Sequence, residues 1–305
     1  MAETDMYELS GIINMIKPLG WTSMDVVRFV KKMTGQKKIG HAGTLDPQAT
    51  GILPVCIGQA TRVMEYIIDS PKTYRAKVFL GEATDTYDTQ GEVTFKGDAS
   101  WVSTQDVLDQ LNSFKGSIYQ VPPMYSALKK EGKRLYNLAR AGAEIEREPR
   151  LVECYKIELQ SCDLPEFDIE IVCGKGLYVR SLAHDIGESL GCGAHLKGLD
   201  RSSSGPFNYE NGVNVGQLEE HSKKGDIESL LFPIDFPLLH YKAGMVKKEK
   251  WQAVEKGQGI YLGFPTDGDE DQVFYRLYST DGDFVALLKP DNTRGKWRAH
   301  KVFRR

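Results

Sequence analysis

Little in this sequence points to metal, redox or membrane chemistry. Its five cysteines (Cys56, Cys154, Cys162, Cys173 and Cys192) include no Cys-x-x-Cys pair. An odd count at irregular spacing argues against a disulfide framework or a thiolate zinc site and fits reduced, mostly buried thiols. Apolar runs long enough to span a bilayer are missing. The opening Met-Ala-Glu-Thr-Asp-Met-Tyr is acidic, without the basic and apolar regions of a signal peptide. No glycine between Gly40 and Gly51 is followed by Lys-Ser or Lys-Thr, which removes a Walker phosphate loop. Excess positive charge is also lacking: 39 Lys and Arg face 42 Asp and Glu, a net charge of −3. The expectation is a cytoplasmic protein with no metal, no cofactor and no membrane partner.

What is present begins with Lys37-Lys38-Ile39-Gly40-His41-Ala42-Gly43-Thr44-Leu45-Asp46-Pro47-Gln48-Ala49-Thr50-Gly51. One acid sits in a loop of small residues. Asp46 precedes a proline, which keeps it in a β or polyproline conformation. Gly43 and Gly51 permit tight turns and close approach of a ligand on either side. Such a loop would hold a rigid carboxylate at the floor of a cleft. A two-carboxylate glycosidase would need a second placed acid; Asp85 and Asp88 are available, but Thr-Asp-Thr-x-Asp reads more simply as a turn. Positive charge gathers locally in two places, Lys129–Arg150 and Lys289–Arg305, and local charge decides whether a surface can meet phosphate.

The length suggests about two domains. Residues 11–16 read as an apolar strand, and Val26, Val27, Phe29, Val30 and Met33 recur at helical spacing from Thr22 or Ser23 to Gly35. A second helix is expected over 60–68, a strand over 72–80 with 91–96 returning onto it, and a helix over 104–114. From 123 to 150 the apolar pattern thins and charge rises, as in a surface insertion. Residues 151–161 and 167–172 suggest a hairpin, followed by a helix from about Tyr178. Phe232-Pro233-Ile234-Asp235-Phe236-Pro237 breaks the pattern, dividing the chain into 1–238 and a small β-rich module at 239–305. The fold class expected is α+β, a mixed and largely antiparallel sheet flanked by helices.

The loop around Asp46 resembles the signature of the TruB family of tRNA pseudouridine synthases, and seven further segments resemble that family in its order. They are Asn14–Ser23, Gly58–Arg62 with Lys72–Ala76, Gly81–Asp88, Gln120–Ala127, Gly176–Leu182 and Leu199–Phe207. Gln48 and Arg62 are small departures, standing where the family often has an apolar residue and Lys. The resemblance implies a pseudouridine-synthase-like fold with a PUA-like RNA-binding module at its end. It implies isomerisation of a T-loop uridine of tRNA, conventionally position 55, to pseudouridine on a base flipped out of its loop. Asp46 would be the essential acid, adding to the sugar or removing a sugar proton. A buried acid needs a cation to stay ionised, and by resemblance that cation is Arg180, able to grip a carboxylate through two donors. Tyr74 would be the platform on which the uracil stacks. Tyr178 and Leu199 would line the same pocket, with His41, Lys17, Gly43 and Thr44 as further substrate contacts. The insertion resembles the family's thumb, in which Lys129, Lys130, Lys133 and Arg134 would clamp the T-arm stem-loop. A monomer without an obligatory protein partner is expected. The rival reading is a non-catalytic tRNA-binding or tRNA-folding protein.

Overall fold

The computed structural model describes residues 9–126, 129–130, 133–134, 145–262, 274–291 and 295–303. Strand β1 (Gly11–Lys17) is buried along almost its whole length. Helix α1 (Ser23–Thr34) starts at Thr22, whose hydroxyl accepts from the Asp25 amide while Asp25 accepts from the Thr22 amide. It ends at Gly35, which takes a left-handed conformation. Strands β2 (Ile39–His41) and β3 (Ala49–Ile57) bracket the Asp46 loop. A single helix over 60–68 does not form. A 3₁₀ turn at Gly58–Arg62 precedes α2 (Met64–Asp69), and Val63 between them is non-helical. The Thr61 hydroxyl donates to the Gly58 carbonyl at 2.8 Å, a local bond that competes with helix propagation.

Strand β4 (Lys72–Leu80) is followed by β5 (Glu82–Thr84) and β6 (Val93–Lys96). Residues 91–96 were expected to return onto β4. Instead β6 pairs with β5, because Gly81 at φ 97 turns the chain out of the main sheet first. Then come α3 (Thr104–Ser113), β7 (Gly116–Gln120), the short pair β8 (Lys129–Lys130) and β9 (Lys133–Arg134), β10 (Arg150–Asp163) and β11 (Glu166–Cys173). The second half contributes α4 (Val179–Ser189), β12 (Ala194–Ser204), β13 (Phe207–Asn208), α5 (Val215–Lys224), β14 (Ala243–Val246), α6 (Lys248–Glu255), β15 (Tyr275–Ser279), β16 (Phe284–Asp291) and β17 (Lys296–Val302).

The main sheet runs β1-β3-β12-β4-β11-β10-β7 and is antiparallel except where β12 meets β3. Helices α3 and α4 cover one stretch of it, with Val107, Leu111, Leu182 and Ile186 meeting Val78, Ile169 and Ile171. Helices α1 and α5 cover another, where Val26, Val30 and Leu218 meet Ile13, Leu53 and Val55. Strands β14–β17 form a separate four-stranded sheet. The fold is therefore α+β with a β-rich C-terminal part. That part is not loosely tethered: Leu287 and Phe303 pack with Ile12, Ile52, Ile67 and Leu238 in one apolar cluster. Around it, Lys301 binds the Glu65 carboxylate and the Arg62 carbonyl, and the Arg62 guanidinium lies 5.2 Å over the Phe303 ring. Among the described residues no helix is long and apolar enough to cross a membrane.

Candidate active site

Asp46 is fixed through its backbone before its carboxylate meets anything. The Ser23 hydroxyl, at the start of α1, receives the Leu45 amide at 2.8 Å and donates to the Leu45 carbonyl at 3.0 Å. On the other side the Pro47 carbonyl accepts from the Gly20 amide at 2.8 Å and from Lys17 Nζ at 3.3 Å. Gly51 closes the loop where β3 crosses β12: a Cβ there would lie 2.3 Å from the Arg201 carbonyl oxygen, at a φ of 103. The glycines of the signature serve backbone crossing as well as turning.

The Asp46 carboxylate meets Arg180 Nε at 2.9 Å, with Arg180 nearly buried (6% exposed) and Asp46 open to water on one side (41%). Arg180 does not form the two-donor grip expected of it. Its Nη1 donates to the Thr86 carbonyl at 3.2 Å and its Nη2 to the Tyr125 carbonyl at 2.8 Å, leaving Nε for Asp46. Asp88 stands 3.7 Å from the same Nε. The Asp46 pKa is raised above the usual carboxylate value, first by desolvation among its protein neighbours and also by Asp88, against the lowering influence of Arg180 and Lys17. Water reaching the open side tempers that desolvation.

A cleft of about 310 Å³ opens beside this pair and is lined by Gly43, Thr44, Tyr74, Tyr178, Leu199 and Arg180 among others. Tyr74 is a neutral phenol, its pKa raised by burial despite the neighbouring Arg201. Tyr178 caps α4 in an extended conformation, its amide donating to Gln120 Oε1 at 2.7 Å. His41 and Lys17 are not among the residues lining the cleft. His41 ends β2, held neutral by burial and by the charge of Arg201. Lys17 is fully buried and spends its ammonium on the carbonyls of Pro18, Trp21 and Pro47, which makes it a fastener of the loop. Backbone pairing places Lys129, Lys130, Lys133 and Arg134 on one small hairpin; their side chains lie outside the described residues.

Sequence reasoning passed over three charged residues of the site. Asp88, read there as part of a turn, shares Arg180 with Asp46. Lys72 and Arg201 also line the cleft. The signal for both was strand alternation, since Lys72 stands two residues before Tyr74 and Arg201 two after Leu199. No group of three or more metal-ligating side chains occurs among the described residues.

Comparison with known proteins shows which family the chain falls in. Residues 31–179 match the model of the TruB family pseudouridylate synthase N-terminal domain, and residues 180–238 that of the tRNA pseudouridylate synthase B C-terminal domain. The chain is 42% identical over 295 residues to a tRNA pseudouridine synthase B of Dehalococcoides mccartyi, covering 97% of each. It is 46% identical over 234 residues to one of Clostridium tetani, covering 77% of this chain and 80% of the relative. Among solved structures, one of an H/ACA RNP bound to a substrate RNA containing 2′-deoxyuridine superposes with a TM-score of 0.72 at 25% identity, over 97% of this chain and 85% of that one. With a single loop-borne aspartate held by a buried arginine, and relatives that run nearly its full length, the chain belongs to the TruB family of pseudouridylate synthases.

Proposed function

We propose that this protein converts the T-loop uridine of tRNA, position 55, to pseudouridine, with Asp46 as the reacting acid on a flipped-out base. The observation that carries the reading is the Asp46 carboxylate held 2.9 Å from buried Arg180 in the cleft that Tyr74 and Leu199 line. Asp46 either adds to C1′ or removes the C2′ proton, and both roles need it ionised. Arg180 supports that state and sets the carboxylate's direction. Tyr74 offers a neutral aromatic face to a ring that has lost its covalent tether, a contact worth about 1–3 kcal/mol for a base. Tyr178 and Leu199 enclose the ring, while Gly43 and Thr44 meet the nucleotide's backbone at the rim.

Residues 1–238 form the catalytic unit and 239–305 a PUA-like RNA-binding module. The hairpin carrying Lys129, Lys130, Lys133 and Arg134 meets the phosphates of the T-arm stem-loop, and a monomer suffices for this. The direct test uses an unmodified T-arm stem-loop with tritium at uracil C5, incubated with the protein and no added metal or cofactor. Release of tritium together with pseudouridine in the digest supports the reading. Tight binding without release, from the stem-loop and from whole tRNA, would favour a non-catalytic RNA-folding role.

A further inference from the structure

Lys72 and Arg201 are buried charges with no counter-ion. They are 6% and 1% exposed, and neither takes part in an ion pair among the described residues. Their hydrogen bonds end on neutral oxygens: backbone carbonyls and, for Arg201, the Tyr74 phenol as well. Lys72 Nζ donates to Ile67, Ile68 and Ser70 at 2.8, 2.5 and 2.5 Å. Arg201 Nε donates to Ile52 at 2.7 Å and its Nη2 to Gly43 at 3.1 Å. Carbonyls satisfy donors and fix the side chains, but they cancel no net charge, and an uncompensated buried charge is costly. Burial first and the charge of Arg201 next bring the Lys72 pKa down to about 8, against the raising influence of Cys173 and Asp69, so the two cations feel each other.

Their placement relative to the ring's seat is specific. Arg201 is directly opposite Tyr74 across the β4–β12 pair, and Leu199 is opposite Ala76. Strand alternation puts Lys72 on the face of Tyr74 and Arg201 on the face of Leu199. All four line the cleft that holds Asp46. The nearby acids are already engaged elsewhere: Asp46 and Asp88 both flank Arg180, and Asp69, whose charge reaches Lys72, pairs with Lys175 at 2.9 Å.

The remaining step rests on the proposed isomerisation. When C1′–N1 breaks, its electron pair stays on N1, whether Asp46 has added to C1′ or taken the C2′ proton. The uracil therefore departs as an anion, its charge spread over N1, O2 and O4. When C5 bonds to C1′, either the Asp46–C1′ bond breaks and frees the carboxylate, or the C1′–C2′ double bond opens and C2′ takes its proton back from Asp46; the C5 proton is then lost, N1 takes one up, and the ring ends neutral. We propose that Lys72 and Arg201 are the built-in counter-ions of this transient uracil anion. Held by carbonyls before the reaction starts, they stabilise charge as it forms without reorganising. Their unfavourable isolation in the resting protein is relieved only at that stage.

The test compares uridine and 5-fluorouridine stem-loops under single-turnover conditions, following loss of the N-glycoside by chromatography of nuclease digests. Fluorine makes the departing base a weaker base, so its anion needs less help. Lys72→Met and Arg201→Met should each slow uridine conversion about a hundredfold, with RNA affinity and thermal midpoint near those of the unsubstituted protein. The loss on 5-fluorouridine should be several-fold smaller, and Arg201→Lys should recover much of the rate. An equal loss on both substrates would overturn the inference, leaving the two residues as clamps on carbonyls. If Arg201→Met does not fold, Lys72→Met and Arg201→Lys decide by the same ratio. An unsubstituted protein that leaves both stem-loops unchanged would remove the proposed function itself, and the inference with it.

Discussion

Arg180 divides its guanidinium among Asp46, the Thr86 carbonyl and the Tyr125 carbonyl, one nitrogen to each. Lysine offers a single point charge on a flexible stem and cannot serve three partners in three directions. Arg180→Lys should therefore lower the single-turnover rate by about a hundredfold. It should also move the acid limb of the pH–rate profile. In the proposed mechanism Asp46 works ionised; burial raises its pKa, and Arg180 is the strongest influence lowering it. A weaker hold lets the pKa rise further, so the limb shifts to higher pH. Rates measured from about pH 5 to about pH 8 check the direction; a shift to lower pH would contradict the assignment. Asp46 could be singled out in the sequence because its whole loop, Lys37 to Gly51, resembles a family signature; Asp-Pro between glycines alone would also suit an ordinary turn. Asp88, Lys72 and Arg201 could not be, because their importance comes from what lies across the fold. Nothing in Thr84-Asp85-Thr86-Tyr87-Asp88 says that its last carboxylate will stand 3.7 Å from an arginine about ninety residues away.

Elements carry the same contrast. Helix α1 could be read directly, since Thr22, Asp25 and Gly35 mark its ends and its valines mark its buried face. Strand β12 could not: Ala-His-Leu-Lys-Gly-Leu-Asp-Arg-Ser-Ser-Ser holds few residues that favour strands, yet it lies inside the sheet, between β3 and β4. Its partners decide its state. It pairs with β4 over most of its length and with β3 at Leu199–Arg201. Asp200 ties the crossing, accepting from Thr50 of β3 at 2.6 Å and from Tyr209 at 2.5 Å. Gly51 makes the approach possible, and its replacement should be severe. Gly51→Ala would set a methyl 2.3 Å from the Arg201 carbonyl oxygen in a left-handed conformation. We expect a loss of about 3 kcal/mol or more in unfolding free energy, measured by denaturant titration. A loss under about 1 kcal/mol would mean that the two strands can separate at little cost.

At the scale of the whole molecule, the sequence suggested two units, and the packing joins them. Leu287 and Phe303 complete a cluster begun by Ile12, Ile52 and Ile67, and α2, which they cover, ends at the carbonyls that hold Lys72. Removing residues 239–305 should lower the thermal midpoint by many degrees and expose a surface that promotes association, readable by calorimetry and light scattering. A truncated protein as stable and monodisperse as the full chain would show that this cluster contributes little. The same cluster governs how the protein is made. Strand β1 leaves the ribosome long before Phe303, against which its cluster closes. Until Phe303 is made, Ile12 and its neighbours wait without their full cover. A message cut short would therefore yield a polypeptide with bare apolar surface, recognisable to chaperones and proteases as unfinished.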